Sequence, residues 1–156
     1  MSGYLLDTNV ISELRKPSCD PAVKAWSDNK PPESFFLSTI TIAEIRFGIE
    51  QQSDLPFREE LVAWLDHTLR PWFANRILDG DEEVILEWRR MVAMGKRKGV
   101  TFSQPDLFIA ATAKIHNLTV ATRNVADFEQ AGVAVVNPWT PRNPGARNPG
   151  ARNPDD

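Results

Sequence analysis

Short apolar runs alternate with longer segments of helical periodicity along most of the chain. Five of the apolar runs have the length and residue types of strands: Tyr4–Leu6, Phe35–Leu37, Ile77–Leu78, Thr119–Ala121 and Val133–Val136. Six further segments show helical spacing: Val10–Arg15, Pro21–Asn29, Ile42–Gln52, Pro56–Phe73, Glu82–Lys98 and the largely apolar Leu107–Ala113. Alternating strands and helices favour a parallel sheet with helices on both faces, so the predicted fold class is α/β.

Length and composition agree with one ordinary globular domain and exclude several classes of protein. The 156 residues are 42% apolar and 25% charged, which is enough to build a core without a disulfide or a structural metal. Cys19 is the only cysteine, so an internal disulfide and a thiolate zinc site are both excluded. The net charge is −3, so any binding of nucleic acid would have to depend on a local basic patch.

Nothing in the sequence indicates a membrane or a secreted location. The charge of Asp7 leaves no room for the apolar core of a signal peptide. No apolar run is long enough to cross a bilayer. We therefore expect a cytoplasmic protein that does not insert into membranes.

The composition changes near Pro141, where a repeated pentapeptide follows. From Arg142 the chain reads RNPGA twice and ends on RNPDD, and Asn-Pro and Pro-Gly pairs resist both helix and sheet. We predict a folded domain over residues 1–140 and a disordered tail of Arg-Asn-Pro-Gly-Ala repeats over residues 141–156.

Four acids occupy similar places in the predicted pattern, after a strand and at or just inside the start of the next helix. They are Asp7, Glu44, Asp106 and Asp127. The carboxyl ends of parallel strands lie along one edge of the sheet, and the N-termini of the helices that follow point into the same crevice. We therefore expect the four carboxylates to meet there although they are far apart in the sequence.

Helix capping is the alternative role for each acid. Thr41, Ser103 and Asn124 each precede one of the acids by three residues, which fits a capping box, and Asp7 could cap the helix after it. If the four carboxylates meet, their repulsion must be compensated. Two carboxylates about 4 Å apart repel by about 4 kcal/mol at an effective dielectric of about 20. Helix dipoles offset about 0.3–1 kcal/mol per acid, so the cluster calls for a proton or a cation. Oxygen ligands without histidine or cysteine favour Mg²⁺ or Mn²⁺.

The segments around the acids resemble the sequence motifs of the PIN-domain ribonucleases. Four segments carry the resemblance in the order and spacing of the family: Leu5–Leu14, Thr39–Gly48, Asp106–Ala113 and Val120–Asn124. The closing Val136–Trp139 is especially similar to the FitB branch of the VapC-type toxins. The resemblance implies a three-layer α/β/α sandwich around a five-stranded parallel sheet. It also implies an endoribonuclease toxin that needs Mg²⁺ or Mn²⁺ and is inhibited by a small antitoxin protein from the same operon.

The resemblance also assigns roles to individual residues. Asp7, Glu44 and Asp106 are the expected metal ligands and catalytic acids. Many relatives carry a fourth acid where this chain has Asn124, so Asp127, one helical turn later, is the candidate to replace it. Three residues are expected to support the ligands: Asn9, Thr122 and Asn124.

RNA binding needs positive charge near the acids, and Arg46 and Arg123 lie close to the acidic motifs in the sequence. We predict that both contact RNA phosphates, and we expect a homodimer. Two other interpretations stay open. A phosphatase with Asp7 as nucleophile usually needs a second acid two residues later, where this chain has Asn9. A degenerate PIN fold would bind RNA or a protein partner without turnover, and Asn124 in place of the fourth acid is compatible with it.

Overall fold

The structure, a computed structural model, describes residues 3–140 of the chain. The predicted tail over residues 141–156 lies outside the described residues. Between residues 3 and 140, no helix combines the length and the apolar character needed to cross a membrane.

Five parallel strands form one sheet, as predicted. They are β1 Tyr4–Leu6, β2 Phe35–Ser38, β3 Ile77–Leu78, β4 Thr119–Ala121 and β5 Val135–Val136, in the order β3-β2-β1-β4-β5. The central β1 pairs with β2 and β4, and Leu5 lies opposite Phe36 on one side and Val120 on the other. The chain moves outward from β1 to β3 and then crosses back to β4. The strand order therefore reverses between β1 and β4, and ligands of open α/β sheets bind at such a reversal.

The described residues contain all six predicted helical segments, the helix expected at Asp127, and a 3₁₀ turn over Pro32–Ser34 that was not predicted. The α-helices are α1 Thr8–Arg15, α2 Pro21–Asp28, α3 Thr39–Glu50, α4 Leu55–Trp64, α5 Arg70–Trp72, α6 Glu82–Lys98, α7 Gln104–Ile115 and α8 Val125–Gln130. The start of α3 lies three residues before the predicted Ile42, because the Ser38 hydroxyl accepts a hydrogen bond from the Ile40 N–H at 3.1 Å and caps the helix there. The short α8 carries Asp127 in its first turn, as expected, and buries only Phe128, so it shows no periodic apolar pattern of its own.

The segment predicted as one helix over Pro56–Phe73 is interrupted. After α4, a π-helical turn covers Leu65–Leu69 and leads into α5. Pro71 has no N–H to donate to the carbonyl of His67, so the regular α-helical ladder cannot run through this segment.

Successive residues of β1 point to opposite faces of the sheet, and each face carries its own core. Leu6 belongs to a buried cluster with Ile11 of α1 and with Phe73. Leu5 belongs to a second cluster with Met91 of α6 and Ile109 of α7. Helices therefore cover both faces, which confirms the predicted three-layer α/β/α arrangement.

Two contacts fix the C-terminal end of α7, the most buried helix. Near its C-terminus, Lys114 donates to the buried carboxylate of Glu87 in α6 at 2.7 Å. A tight turn then leads into β4, where the Leu118 N–H donates to the Ala113 carbonyl at 2.8 Å. A helix that enters a strand through such a turn runs back along it, so the head of α7, which carries Asp106, lies at the carboxyl edge of the sheet.

Candidate active site

Asp7 lies at the carboxyl end of β1, at the reversal of strand order. Its N–H continues the β1–β4 pairing and donates to the Ala121 carbonyl at 3.0 Å. Its carboxylate is 6% exposed and accepts hydrogen bonds from the Thr122 hydroxyl at 2.8 Å and the Thr8 N–H at 2.7 Å. Asn9 adds a longer contact from its amide nitrogen at 3.4 Å. These donors fix a buried carboxylate that would otherwise be costly to hold.

The turn between β4 and α8, residues Thr122–Asn124, connects Asp7 to the rest of the site. The Thr122 hydroxyl oxygen accepts from the Asn124 N–H at 3.0 Å and from the Asn9 amide nitrogen at 3.3 Å. The Asn9 side-chain oxygen in turn accepts from the Arg123 N–H at 3.4 Å. All three residues predicted to support the acids, Asn9, Thr122 and Asn124, therefore belong to one hydrogen-bonded network.

Asn124 links the other two acids on this side of the crevice. Its amide nitrogen donates to a carboxylate oxygen of Asp106 at 3.2 Å and to one of Asp127 at 2.7 Å. Asp106 is half-buried at the head of α7, and Asp127 is exposed in the first turn of α8. A neutral amide thus holds together the two acids that flank it.

Glu44 approaches from α3 on the opposite side of Asp7. It is half-buried, and burial together with repulsion from Asp7 and Asp106 raises its pKa. The nearby Thr8 hydroxyl lowers the pKa of Glu44 and so opposes this rise. The geometry between the two groups is poor, and the buried Thr8 oxygen forms no regular hydrogen bond within residues 3–140. Sequence reasoning gave Thr8 no role, because a hydroxyl in a helical first turn carries no distinguishing signal.

The electrostatics of the site are those of crowded, uncompensated acids. Burial is the largest cause of the raised pKa of Asp7, and hydrogen bonds from Thr122 and Thr8 oppose it. Burial and repulsion from Asp7 and Asp127 raise the pKa of Asp106, against the hydrogen bond from Asn124. None of the groups that shift these pKa values is a cation. Glu44 thus lies within electrostatic range of Asp7 and Asp106, and Asp106 within range of Asp7 and Asp127.

The acids lie near one another, but their side chains are not arranged as a complete set of metal ligands. Within residues 3–140, no group of three or more His, Cys, Asp or Glu side chains is arranged so that it could hold a metal ion as it stands. Asp7 is fixed by its donors, whereas Glu44 and Asp106 keep partial access to solvent.

The capping alternative holds for only one of the four acids. Asp7 is the N-cap of α1 and accepts from the Thr8 N–H. Thr41 lies inside α3, which Ser38 caps, and the Ser103 and Asn124 side chains form no capping hydrogen bond. Ser103 and Asn124 do occupy the N-cap positions of α7 and α8, but without a capping hydrogen bond from the side chain, whereas α3 begins three residues before Thr41.

Asp106 also differs from its predicted setting. It follows the α6–α7 connection and not a strand, since residues 99–103 contain no strand. It reaches the same edge of the sheet because α7 runs back along β4 and Asn124 joins it to the β4–α8 turn.

The structure places the two predicted phosphate contacts away from the centre of the crevice. The guanidinium carbon of Arg123 lies 5.0 Å from the centroid of the Trp139 ring. Arg46 is exposed on α3 and lines a groove together with Arg58 and Val62 of α4. Neither arginine contributes to the pKa shifts of Asp7, Glu44 or Asp106.

The chain is similar in sequence and fold to known proteins. The model of the PIN domain family matches residues 4–133. Toxin FitB of Neisseria gonorrhoeae is 43% identical over 135 residues, which are 86% of this chain and 97% of that protein. A chain of the crystal structure of FitAcB from Neisseria gonorrhoeae is similar with a TM-score of 0.82 and 43% identity, over 87% of this chain and 98% of that one.

Two further matches extend the comparison. VapC ribonuclease Y4jK of Sinorhizobium fredii is 40% identical over 137 residues, covering 88% of this chain and 98% of that protein. A chain of a toxin-antitoxin complex from Klebsiella pneumoniae has a TM-score of 0.60 and 28% identity, over 87% of this chain and 98% of that one.

Removal of the charge at position 106 should not destabilise the metal-free protein. Asp106→Asn relieves repulsion and takes away no helix cap, so we expect the free energy of unfolding in EDTA at pH 7 to be unchanged or higher by up to about 1 kcal/mol. The folded-state pKa of Asp106 is raised above 3.8, so the wild type recovers this stability as the pH falls through the raised pKa. The advantage of the variant should therefore vanish below about pH 4.

Urea unfolding followed by tryptophan fluorescence measures this difference. Asp81→Asn is the matched control, because the Asp81 carboxylate accepts from the Val84 N–H at 3.1 Å and caps α6. The free energy of unfolding of the control should fall by about 0.3–1 kcal/mol, because the charge at the N-terminus of α6 is lost. A loss at Asp106 as large as that at Asp81 would show that Asp106 has a structural capping role.

Proposed function

The chain belongs to the PIN domain family, and from this we propose that it is a Mg²⁺- or Mn²⁺-dependent endoribonuclease that acts as the toxin of a toxin–antitoxin pair. The observation that carries the proposal is the crowding of Asp7, Glu44 and Asp106, with Asp127 beside them, at the reversal of strand order. Burial raises the pKa of Asp7, Glu44 and Asp106, and repulsion from neighbouring acids adds to the rise at Glu44 and Asp106, with no cation among the causes.

The residues of the crevice fit a hard divalent cation. Asp7, Glu44 and Asp106 would hold it, because carboxylate oxygens without nitrogen or sulfur ligands favour Mg²⁺ or Mn²⁺. Asp7 is already oriented by its three donors, while the partly exposed Glu44 and Asp106 can adjust their side chains. A bound ion would also relieve the repulsion that the three acids now exert on one another.

Each group of the chain then has a separate task. A cation bound here would supply Lewis-acid stabilisation of the phosphate and an activated water. Thr122 and Asn9 keep the Asp7 carboxylate in one orientation, and Asn124 holds Asp106 in place. Asp127 provides the fourth negative charge that Asn124 does not carry.

RNA is the proposed substrate, and the cytoplasm the proposed location. The relative from Sinorhizobium fredii is named a VapC ribonuclease and the one from Neisseria gonorrhoeae a toxin, which supports RNA cleavage and toxicity for this chain. Arg46 is exposed two residues from Glu44 and suits a contact with an RNA phosphate at the edge of the crevice. We also propose that the protein forms a homodimer.

The alternative of a degenerate fold without turnover depends on Asn124. A lost acid would be expected to leave the remaining carboxylates unorganised. Asn124 instead donates to both Asp106 and Asp127, so the substitution keeps the acids together, which favours turnover. The phosphatase alternative loses support because Asn9, at the place of the second acid, is engaged with Asp7 and Thr122.

A groove between α3 and α4 suits the proposed antitoxin. It has a volume of about 450 Å³, and its lining combines the apolar Ile49, Val62 and Leu65 with five charged residues, Arg46, Glu50, Arg58, Asp66 and Arg70. Phe47 of α3 and Leu55 of α4 expose 63% of their surface. An amphipathic helix could bury its apolar face in such a groove, and the toxin-antitoxin complex among the similar structures supports a small protein partner from the same operon.

The metal-dependent activity is tested directly by charge removal at Asp106. Purified wild type should cleave total RNA with Mg²⁺ or Mn²⁺ and not with EDTA, and Asp106→Asn should lower the rate at least about 100-fold. Asp54→Asn, at the head of α4, is the control and should retain wild-type activity. Mapping of the new RNA ends measures cleavage. Full activity of Asp106→Asn, or cleavage in EDTA, would overturn the proposal, and RNA binding without cleavage under all conditions would establish the degenerate fold.

The fourth acid can be located by comparing two alanine variants. Asp127→Ala should raise the Mg²⁺ concentration needed for half-maximal cleavage about tenfold, because it removes negative charge from the site. Asn124→Ala should change the Mg²⁺ requirement less, since it removes no charge, and should mainly lower turnover. If neither variant changes the Mg²⁺ concentration needed for half-maximal cleavage, the metal centre consists of three acids only.

A charge placed in the groove should release the toxin from its antitoxin. We expect wild type expressed alone to stop growth and to be tolerated together with the small neighbouring gene. Val62→Asp should stop growth even with that gene, because it buries a charge under the antitoxin helix, and should cleave RNA normally. Met94→Asp on α6 is the control, since Met94 is 50% exposed away from the groove. If the antitoxin neutralises Val62→Asp as completely as the control, this groove is not the antitoxin-binding site.

A further inference from the structure

Arg123 occupies the middle of the β4–α8 turn, between the two residues that hold the acids. Thr122 donates to Asp7, and Asn124 donates to Asp106 and Asp127. The Arg123 N–H is bound by Asn9. Any displacement of Arg123 would therefore be transmitted to the donors on both sides of it.

The Arg123 side chain packs on Trp139 and not over the acids. The guanidinium carbon lies 5.0 Å from the centroid of the indole ring, within the range of a cation–π contact. Trp139 is half-buried and packs against the core cluster around Leu6 and Ile11. The Trp139 backbone N–H donates to the Asn137 side-chain oxygen at 3.0 Å, and the packing of the ring against the core makes it a platform for the guanidinium.

The charge of Arg123 also acts on a carboxylate of α1, that of Glu13. Lys16 and the Asp20 N–H are the main causes of the lowered pKa of Glu13, and Arg123 contributes to it through its charge. The Glu13 side chain is only 13% exposed and pairs with Lys16 at 2.9 Å. Arg123 therefore contacts the Trp139 ring and lies within electrostatic range of an acid on α1.

We propose that the Arg123–Trp139 stack is a positioning device for the active site. It holds the β4–α8 turn so that Thr122 keeps Asp7 oriented and Asn124 keeps Asp106 oriented. This role rests on the proposed ribonuclease function and assigns Trp139, far from the reacting atoms, a part in turnover. The rival role for Arg123 is the phosphate contact predicted from the sequence, which requires the guanidinium to leave the ring.

The two roles make opposite predictions for Trp139→Leu, which removes the platform and keeps the arginine. Positioning predicts a fall in kcat of roughly 10- to 100-fold with little change in KM, because a misplacement of about 1 Å has a cost of this order. Trp139→Phe should restore most of the activity, since it keeps an aromatic face. Arg123→Met should lower kcat similarly, and the double variant should be little worse than either single one. Trp72→Leu, on a remote exposed tryptophan, is the matched control and should change neither constant.

A second measurement does not need RNA or metal. In the metal-free full-length protein, the side-chain amide resonances of Asn9 and Asn124 in ¹H–¹⁵N spectra should shift in Trp139→Leu and Arg123→Met but not in Trp72→Leu. Arg123 is exposed, so Arg123→Met carries the test if Trp139→Leu does not fold.

Unmoved amide resonances with unchanged kcat in Trp139→Leu would overturn the proposal. A raised KM with unchanged kcat in Arg123→Met would instead establish the phosphate contact. If the wild type cleaves no RNA, the proposed function fails, but shifted amide resonances would still show that the stack positions the turn.

Discussion

The Asp7 carboxylate is buried at the end of the central strand, and the candidate site depends on how the fold keeps it there. A buried carboxylate needs hydrogen-bond donors or a counterion. The chain supplies donors from two directions, the Thr8 N–H from α1 and the Thr122 hydroxyl from the turn after β4. That arrangement requires β1 and β4 to be neighbours, which is the reversal of strand order that opens the crevice. The same interaction therefore joins the topology of the sheet to the chemistry of its edge.

Asn124 shows how a change of residue type can preserve the site while changing its charge. An aspartate there would add to the repulsion among Asp7, Glu44 and Asp106. The amide instead donates to Asp106 and Asp127 and replaces repulsion with hydrogen bonds. The negative charge that is lost at position 124 is present one helical turn later, on the exposed Asp127. The acid cluster is thus shifted toward solvent on this side, and the position of Asp106 depends on a neutral neighbour.

Much of the fold could be predicted because β-strand and helix periods are local properties of the sequence. All five strands and the alternation that makes the sheet parallel were predictable in this way, and so was the meeting of the acids at one edge. The capping box at Thr41 was wrong because Ser38, three residues earlier, caps α3. Ser103 and Asn124 were placed correctly at helix starts, but whether a side chain forms the capping bond depends on its conformation. The setting of Asp106 was missed because the direction of α7 depends on the turn that leads into β4. The contact of Arg123 with Trp139 could not be predicted either, since it depends on where β5 ends relative to the β4–α8 turn.

Direct binding of Mn²⁺ to the metal-free protein tests most simply whether Asp7, Glu44 and Asp106 form one site. Free Mn²⁺ can be followed by electron paramagnetic resonance during titration of the wild type and of Asp7→Asn, Glu44→Gln and Asp106→Asn, with Asp54→Asn as the control. We expect the wild type and the control to bind alike, and each of the three variants to bind at least about tenfold more weakly. Equal Mn²⁺ affinity in all five proteins, or no binding to the wild type, would contradict a metal centre built from these acids.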